Sequence, residues 1–113
     1  MSQPADSIPI LFVTIGRNLG LEPMSPPKWW AFRGSVRAAL GATVGEPSFE
    51  IAGPGGRWHG QAESSAVYIV LRPTEGFDRL RRVLINLATD FGQQSIAIAT
   101  GRSELVGPAG SIE

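Results

Sequence analysis

Two segments of this chain are apolar on both faces of a would-be strand. Ile10-Leu11-Phe12-Val13-Thr14-Ile15 and Ala66-Val67-Tyr68-Ile69-Val70-Leu71 carry β-favouring residues at odd and even positions alike. Successive side chains of a strand point to opposite faces, so both segments belong in the middle of a sheet. Any fold for this chain must therefore place two central strands and find cover for both of their faces.

The intervening sequence supplies the other elements. Ser25 is a good N-cap, with Pro26 at the first helical position. Trp29, Phe32, Val36 and Leu40 then follow on one helical face, and Gly41 reads as the helix stop. Ser48-Phe49-Glu50-Ile51 alternates like an edge strand. Gly53-Pro54-Gly55-Gly56 reads as a hairpin turn, with Arg57 beginning the return and a bulge near Gly60. A second helix opens after Pro73-Thr74, aligns Phe77, Leu80, Val83, Leu84, Leu87 and Phe91, pairs Asp78 with Arg82, and stops at Gly92. Ser95 to Thr100 is the last strand, and the chain turns mostly polar from Gly101.

The order β-α-β-β-α-β is the ferredoxin-like arrangement: an α+β sandwich with a four-stranded antiparallel sheet and two helices on one face. Its usual strand order is 4-1-3-2, which puts the two doubly apolar strands at the centre. One such domain is expected over residues 8–106, with loose tails at 1–7 and 107–113. The expected core comprises Phe12, Val13, Phe32, Val36, Leu40, Val67, Ile69, Leu80, Leu84, Leu87, Ile96 and Ile98. Both helices cover one sheet face, so the other face stays open. A monomer would make that face polar, and neither parity of the central strands is polar. A homo-oligomer, most simply a dimer packed through the open face, is the expected remedy.

Charge and composition exclude several functions. Ten basic residues balance ten acidic ones, which argues against a dedicated nucleic-acid binder. The third strand, with Tyr68 alone among aromatics, also lacks the basic-Gly-aromatic signature of RNA-recognition domains. No cysteine is present and His59 is the one histidine, which removes thiolate and His-rich metal sites, and no cofactor is expected. The apolar run Ile8 to Ile15 is far short of the roughly 20 residues of a spanning helix. Residues 1–7 lack the Lys or Arg of a signal peptide, so a cytoplasmic protein starting here is expected.

Two segments carry chemistry. Gly16-Arg17-Asn18-Leu19-Gly20 is a glycine-bounded loop after a strand, and its Arg could hold an anion. Gly56-Arg57-Trp58-His59-Gly60 with Glu63 is the densest polar-aromatic cluster: Trp58 can stack on a ring, Arg57 can bind an anion, and His59 with Glu63 can transfer protons. Read as parallel to the first strand, the third strand ends at Arg72. Arg72 then lies nearer Arg17 than Arg57 does, and Arg57 reaches the site from a partner. The expected ligand-binding set is thus Arg17, Asn18, Arg57, Trp58, His59, Glu63 and Arg72, suited to a planar anionic molecule such as a nucleotide. The bland reading pairs these arginines with Glu46, Glu50 and Glu63 at the surface. Trp30, beside the core residue Trp29, is left for edge packing, an interface or a ligand. Arg79, Arg81 and Arg82 read as a solvated helix face.

Several short features together resemble a small family of bacterial ferredoxin-like proteins without an assigned activity. They are Gly16, Trp30 with Phe32, Gly56 with Trp58, Glu63-Ser64, and Phe91-Gly92-Gln93-Gln94-Ser95. The resemblance implies the fold and carries over no catalytic residue. The pattern is similar, more broadly, to the dimeric α+β barrels, which include monooxygenases and pure binding proteins. The residues favour a non-catalytic binding or sequestering protein, because one His and no Cys leave few routes to acid–base or covalent chemistry. The alternatives are a cofactor-free barrel enzyme using His59 and Glu63, and a phage or bacterial regulator acting by protein–protein interaction.

Overall fold

A computed structural model of the protein describes residues 7–58, 61–104, 106–108 and 110–111, with side chains over 7–53, 64–104 and 106–108. The long elements are β1 (Ile8–Gly16), α1 (Pro26–Thr43), β4 (Phe49–Trp58), β5 (Gln61–Leu71), α2 (Phe77–Phe91) and β6 (Ala97–Ser103). Two small ladders join them: β2 (Asn18–Leu19) with β3 (Glu22–Pro23), and β7 (Val106–Gly107) with β8 (Gly110–Ser111). The main sheet has the order β4-β5-β1-β6, every neighbouring pair antiparallel, which is the ferredoxin-like α+β sandwich expected from the element order.

The register sorts the strands by face. Leu11, Val13 and Ile15 of β1, and Ala66, Tyr68 and Val70 of β5, are at most 1% exposed beneath the helices. Their apolar neighbours Ile10, Phe12, Val67 and Ile69 face the other way and are half-buried. Phe12, Val67 and Ile69, expected in the core, thus stand on the open face, because two helices cover only one side. Opposite Ile69 and Val67 lie Phe49 and Ile51 of β4, which are 55% and 60% exposed.

The apolar stripe of α1 explains its length. Ser25 Oγ accepts from Lys28 N at 3.4 Å, and the helix runs past Gly41. It continues because Val44 extends the stripe of Phe32, Val36 and Leu40, all fully buried. The stop comes at Gly45, with φ 130° and its N–H donating to Leu40 O at 2.9 Å. Gly92 closes α2 as expected, with φ 73° and Gln93 N donating to Ala88 O at 2.8 Å. Phe91 stacks on Phe32 at 4.8 Å and ties the helices together.

Other local expectations are corrected. Gly53 to Gly56 is a register shift inside the β4–β5 ladder, which runs on to Trp58 opposite Gln61. Glycine and proline mark a bulge here because β4 is an edge strand, where Pro54 need not donate to a ladder. Asp78 pairs with Arg81 at 3.0 Å, three residues on, instead of with Arg82. The last strand begins at Ala97 and reaches Ser103, since antiparallel pairing with Pro9 and Ile8 draws the polar residues Arg102 and Ser103 into the ladder.

The β5–α2 connection docks on the end of α1. Thr74 N donates to Val44 O at 2.8 Å, and Thr74 Oγ1 lies 3.3 Å from Thr43 O. A Cβ on Gly76 would come within 2.7 Å of the same Thr43 carbonyl oxygen, a backbone atom with nowhere to go. Gly76→Ala is therefore expected to lower unfolding stability by about 1–3 kcal/mol, read from the urea midpoint at unchanged slope.

Candidate functional site

The antiparallel register decides which expected site residues can meet. Gly16 lies opposite Ser65, and Arg17 N donates to Ser64 O at 2.9 Å. Beyond this point β4 and β5 continue as a two-stranded ribbon pairing Gly56 with Glu63, Arg57 with Ala62 and Trp58 with Gln61. The backbones of Arg17, Asn18, Arg57, Trp58 and Glu63 thus gather at one end of the sheet. The side chains of Arg57, Trp58 and Glu63, and His59 altogether, lie outside the described residues.

Arg72 is at the other end. Its N–H donates to Pro9 O at 2.9 Å. Ile10 opposite Leu71 and Gly16 opposite Ser65 fix β1 and β5 as antiparallel. Eight strand steps, about 27 Å, separate Arg72, beside Pro9, from Arg17, beside Ser64. The parallel reading that brought these two arginines together is corrected, and Arg57 lies on the Arg17 side within one chain.

The Arg17 loop is firmly held. Arg17 Nε donates to Met24 O at 2.8 Å, and Met24 N returns a bond to Arg17 O at 2.8 Å. Met24 is 1% exposed, so the loop is anchored in the core. On its other side, Gln93 Nε2 donates to Asn18 O at 3.1 Å.

Gln93 also lines a cleft of ≈ 440 Å³ between α2 and β6. Leu84, Ile96 and Ile98 give it an apolar floor; Thr89, Gln94, Ser95 and Arg81 bring neutral polar groups and one cation. Its volume falls within the roughly 300–1,000 Å³ of small-molecule sites. The cleft arises because α2 leans on α1 through Phe91 and Phe32 and leaves the outer flank of edge strand β6 uncovered. Sequence reading noted the Phe91 to Ser95 segment, but no periodicity shows a gap between a helix and a strand.

A second cluster was missed for a similar reason. Glu50 of β4 sits under α1. Its Oε2 accepts from Arg33 Nε at 3.0 Å and Nη2 at 2.8 Å, and from Tyr68 Oη at 3.1 Å. Its Oε1 accepts from Arg37 Nε at 2.8 Å and Nη2 at 2.6 Å. Tyr68 Oη also donates to Arg33 O at 3.0 Å, a shared bond. The Arg33 guanidinium lies 4.7 Å from the ring centroid of Trp30, which is 63% exposed. Burial pushes the Glu50 carboxyl up, but the bonds from Arg37, Arg33 and Tyr68 outweigh it and hold the group below the usual carboxylate range. Burial and the adjacent Glu50 charge raise the Tyr68 phenol well above its ordinary value. Every lone-pair direction of Glu50 is engaged, so this cluster clips α1 to the sheet and has no valence left for a substrate. The exposed surface pairing foreseen for Glu50 is instead half-buried and made with the helix arginines.

Among the described residues no group of three or more His, Asp or Glu could hold a metal ion. No described helix is long and apolar enough to cross a membrane. No protein-family model and no curated protein matches the chain. Among solved structures, a phage SAM lyase in complex with S-methyl-5'-thioadenosine shares the fold, with a TM-score of 0.53 and 18% identity over 89% of this chain and 85% of that one.

The Glu50 cluster gives the protein an acid limit. A carboxyl whose folded pKa is depressed stabilises the fold above its unfolded value, about 4.3, and that stabilisation is lost as pH falls through the lower folded value. Urea midpoints are expected to drop as pH falls below about 4.3. Glu50→Gln should cost about 2–4 kcal/mol at pH 7, since two arginines lose their counter-charge, and should flatten that acid dependence.

Proposed function

We propose that this protein binds a small molecule of the sulfur-substituted adenine nucleoside class, represented by S-adenosylmethionine and S-methyl-5'-thioadenosine. The observation that carries the reading is the α2–β6 cleft, ≈ 440 Å³ with an apolar floor, tied through Gln93 and Asn18 to the anchored Arg17 loop. A nucleoside needs flat apolar surface for its ring and amide or hydroxyl partners for its edge, which Leu84, Ile96 and Ile98, and Gln94, Ser95 and Thr89, would supply. The Arg17 loop, joined to the cleft residue Gln93 through Asn18 O, would offer its cation to a methionine carboxylate. The fold shared with a lyase that holds such a nucleoside points to the same class.

A second reading makes the protein an enzyme on this ligand, and the neighbour's activity favours it. A sulfonium is already a good leaving group: when a base takes the proton from the carbon next to the sulfur-bearing methylene, that C–H pair forms a carbon–carbon double bond, the carbon–sulfur pair goes to sulfur, and S-methyl-5'-thioadenosine departs as a neutral thioether, leaving an unsaturated amino acid and the protonated base. Such chemistry asks for no metal or covalent nucleophile, so the scarcity of His and Cys does not count against it. His59 and Glu63 are the candidate proton-transfer groups for this reading.

S-adenosylmethionine or S-methyl-5'-thioadenosine at about 100 times its Kd should stabilise the fold by about 2.7 kcal/mol, seen as a Tm rise of several degrees. Ala88→Phe, which fills the cleft wall, should remove the rise while leaving circular dichroism unchanged. A wild-type Tm indifferent to both compounds would refute the ligand class. Chromatography of an S-adenosylmethionine incubation separates the two readings: accumulation of S-methyl-5'-thioadenosine, abolished by His59→Ala or Glu63→Gln, identifies an enzyme, and binding without turnover identifies a binding protein.

A further inference from the structure

We propose that a second copy of this chain packs on the open face of the sheet. The argument begins with where the sheet keeps its polar groups. An exposed sheet face ordinarily alternates apolar-in with polar-out. Here the charged residue of β4 and the phenol of β5 face inward instead. Glu50 and Tyr68 point beneath α1, where Arg33 and Arg37 meet them. The opposite parity carries Phe49 and Ile51 on β4, Ile69 on β5 and Phe12 on β1, with Ala97 and Ala99 on β6. No charged residue occupies this face at any register position from Phe49 to Gly53, Ser65 to Leu71, Ile8 to Thr14 or Ala97 to Ser103.

The size of the face suits a copy of the chain. Four strands about 4.8 Å apart and about 20 Å long give roughly 400 Å² of flat area. Side chains standing on it raise the accessible area toward the roughly 800 Å² per partner of a standard interface. A monomer rarely leaves a contiguous apolar patch of this extent in water. A twofold axis through Phe12 and its cross-strand partner Ile69 sets the same uncharged surface against itself, so no charge on one copy faces a like charge on the other. Two sheets stacked face to face, with side chains interdigitating about 10 Å apart, form an ordinary core. The proposal does not depend on the ligand reading.

The test is mass in solution without ligand, by analytical ultracentrifugation and native mass spectrometry at about 20 μM, set against the 12.0 kDa chain. Wild type should sediment at twice the chain mass or a higher multiple. Phe49→Lys and Ile51→Lys, each at a position more than half exposed, should each yield a folded 12.0 kDa species. Ile85→Lys, on the helix side and 65% exposed, should leave the assembly intact. The absence of cysteine allows a second readout: pyrene on Ile51→Cys should give excimer emission, and pyrene on Ile85→Cys should not. A monomeric wild type overturns the proposal. So does an assembly that survives both lysine variants, or one that only Ile85→Lys dissolves.

Discussion

The Glu50 carboxylate, held by Arg33, Arg37 and Tyr68, is the interaction on which the rest of the architecture turns. It joins the edge strand β4 to a helix that precedes it and to the central strand β5. A charge this sheltered is tolerable only with its partners in place: the Glu50 and Arg33 side chains are 16% and 15% exposed, while Arg37, at 43%, reaches solvent. The pairing therefore fixes register as well as adding stability. A one-residue slip of β4 would point Glu50 at the open face and drive Phe49 and Ile51 under the helix. The native parity is the one in which all three polar partners converge.

Fixing that parity has a cost on the other side of the sheet. With Glu50 and Tyr68 committed beneath α1, the outward positions of β4 and β5 hold Phe49, Ile51, Val67 and Ile69. The same sorting in β1 places Leu11 and Val13 inside and Ile10 and Phe12 outside. The sheet is thus apolar on both faces and two helices cover only one. The helices in turn lean together through Phe32 and Phe91, which leaves a cleft along the flank of β6. The open face and the cleft are two consequences of covering a four-stranded sheet with two helices, one suited to a large flat partner and one to a small molecule.

Much of this was legible in order and pattern. Doubly apolar Ile10 to Ile15 and Ala66 to Leu71 required central strands, and the Ser25-Pro26 start and the Gly92 stop of the helices are local chemistry that the structure repeats. Local signals misled where tertiary packing outweighed them. Gly41 has the right chemistry for a helix end, but Val44 buries one further turn. Gly53 to Gly56 has the right chemistry for a turn, but the strand carries on through it as a bulge. Arg17 and Asn18 lie at one end of the sheet and Arg72 at the other, contrary to the parallel reading that joined them, because strand direction is a property of topology that no local motif records.

The sequence by itself determined which segments are strands and helices, the antiparallel four-stranded plan, and the shortage of polar residues for an exposed face. These follow from period-2 and period-3.6 patterning and from capping residues, all of which act within a few positions along the chain. Only the tertiary structure decided which parity of β1 and β5 lies under the helices, which arginines meet Glu50, and where a cleft opens. Each of those depends on groups far apart in sequence, such as Arg33 with Glu50 and Asn18 with Gln93, whose meeting is set by how two helices and four strands share one core.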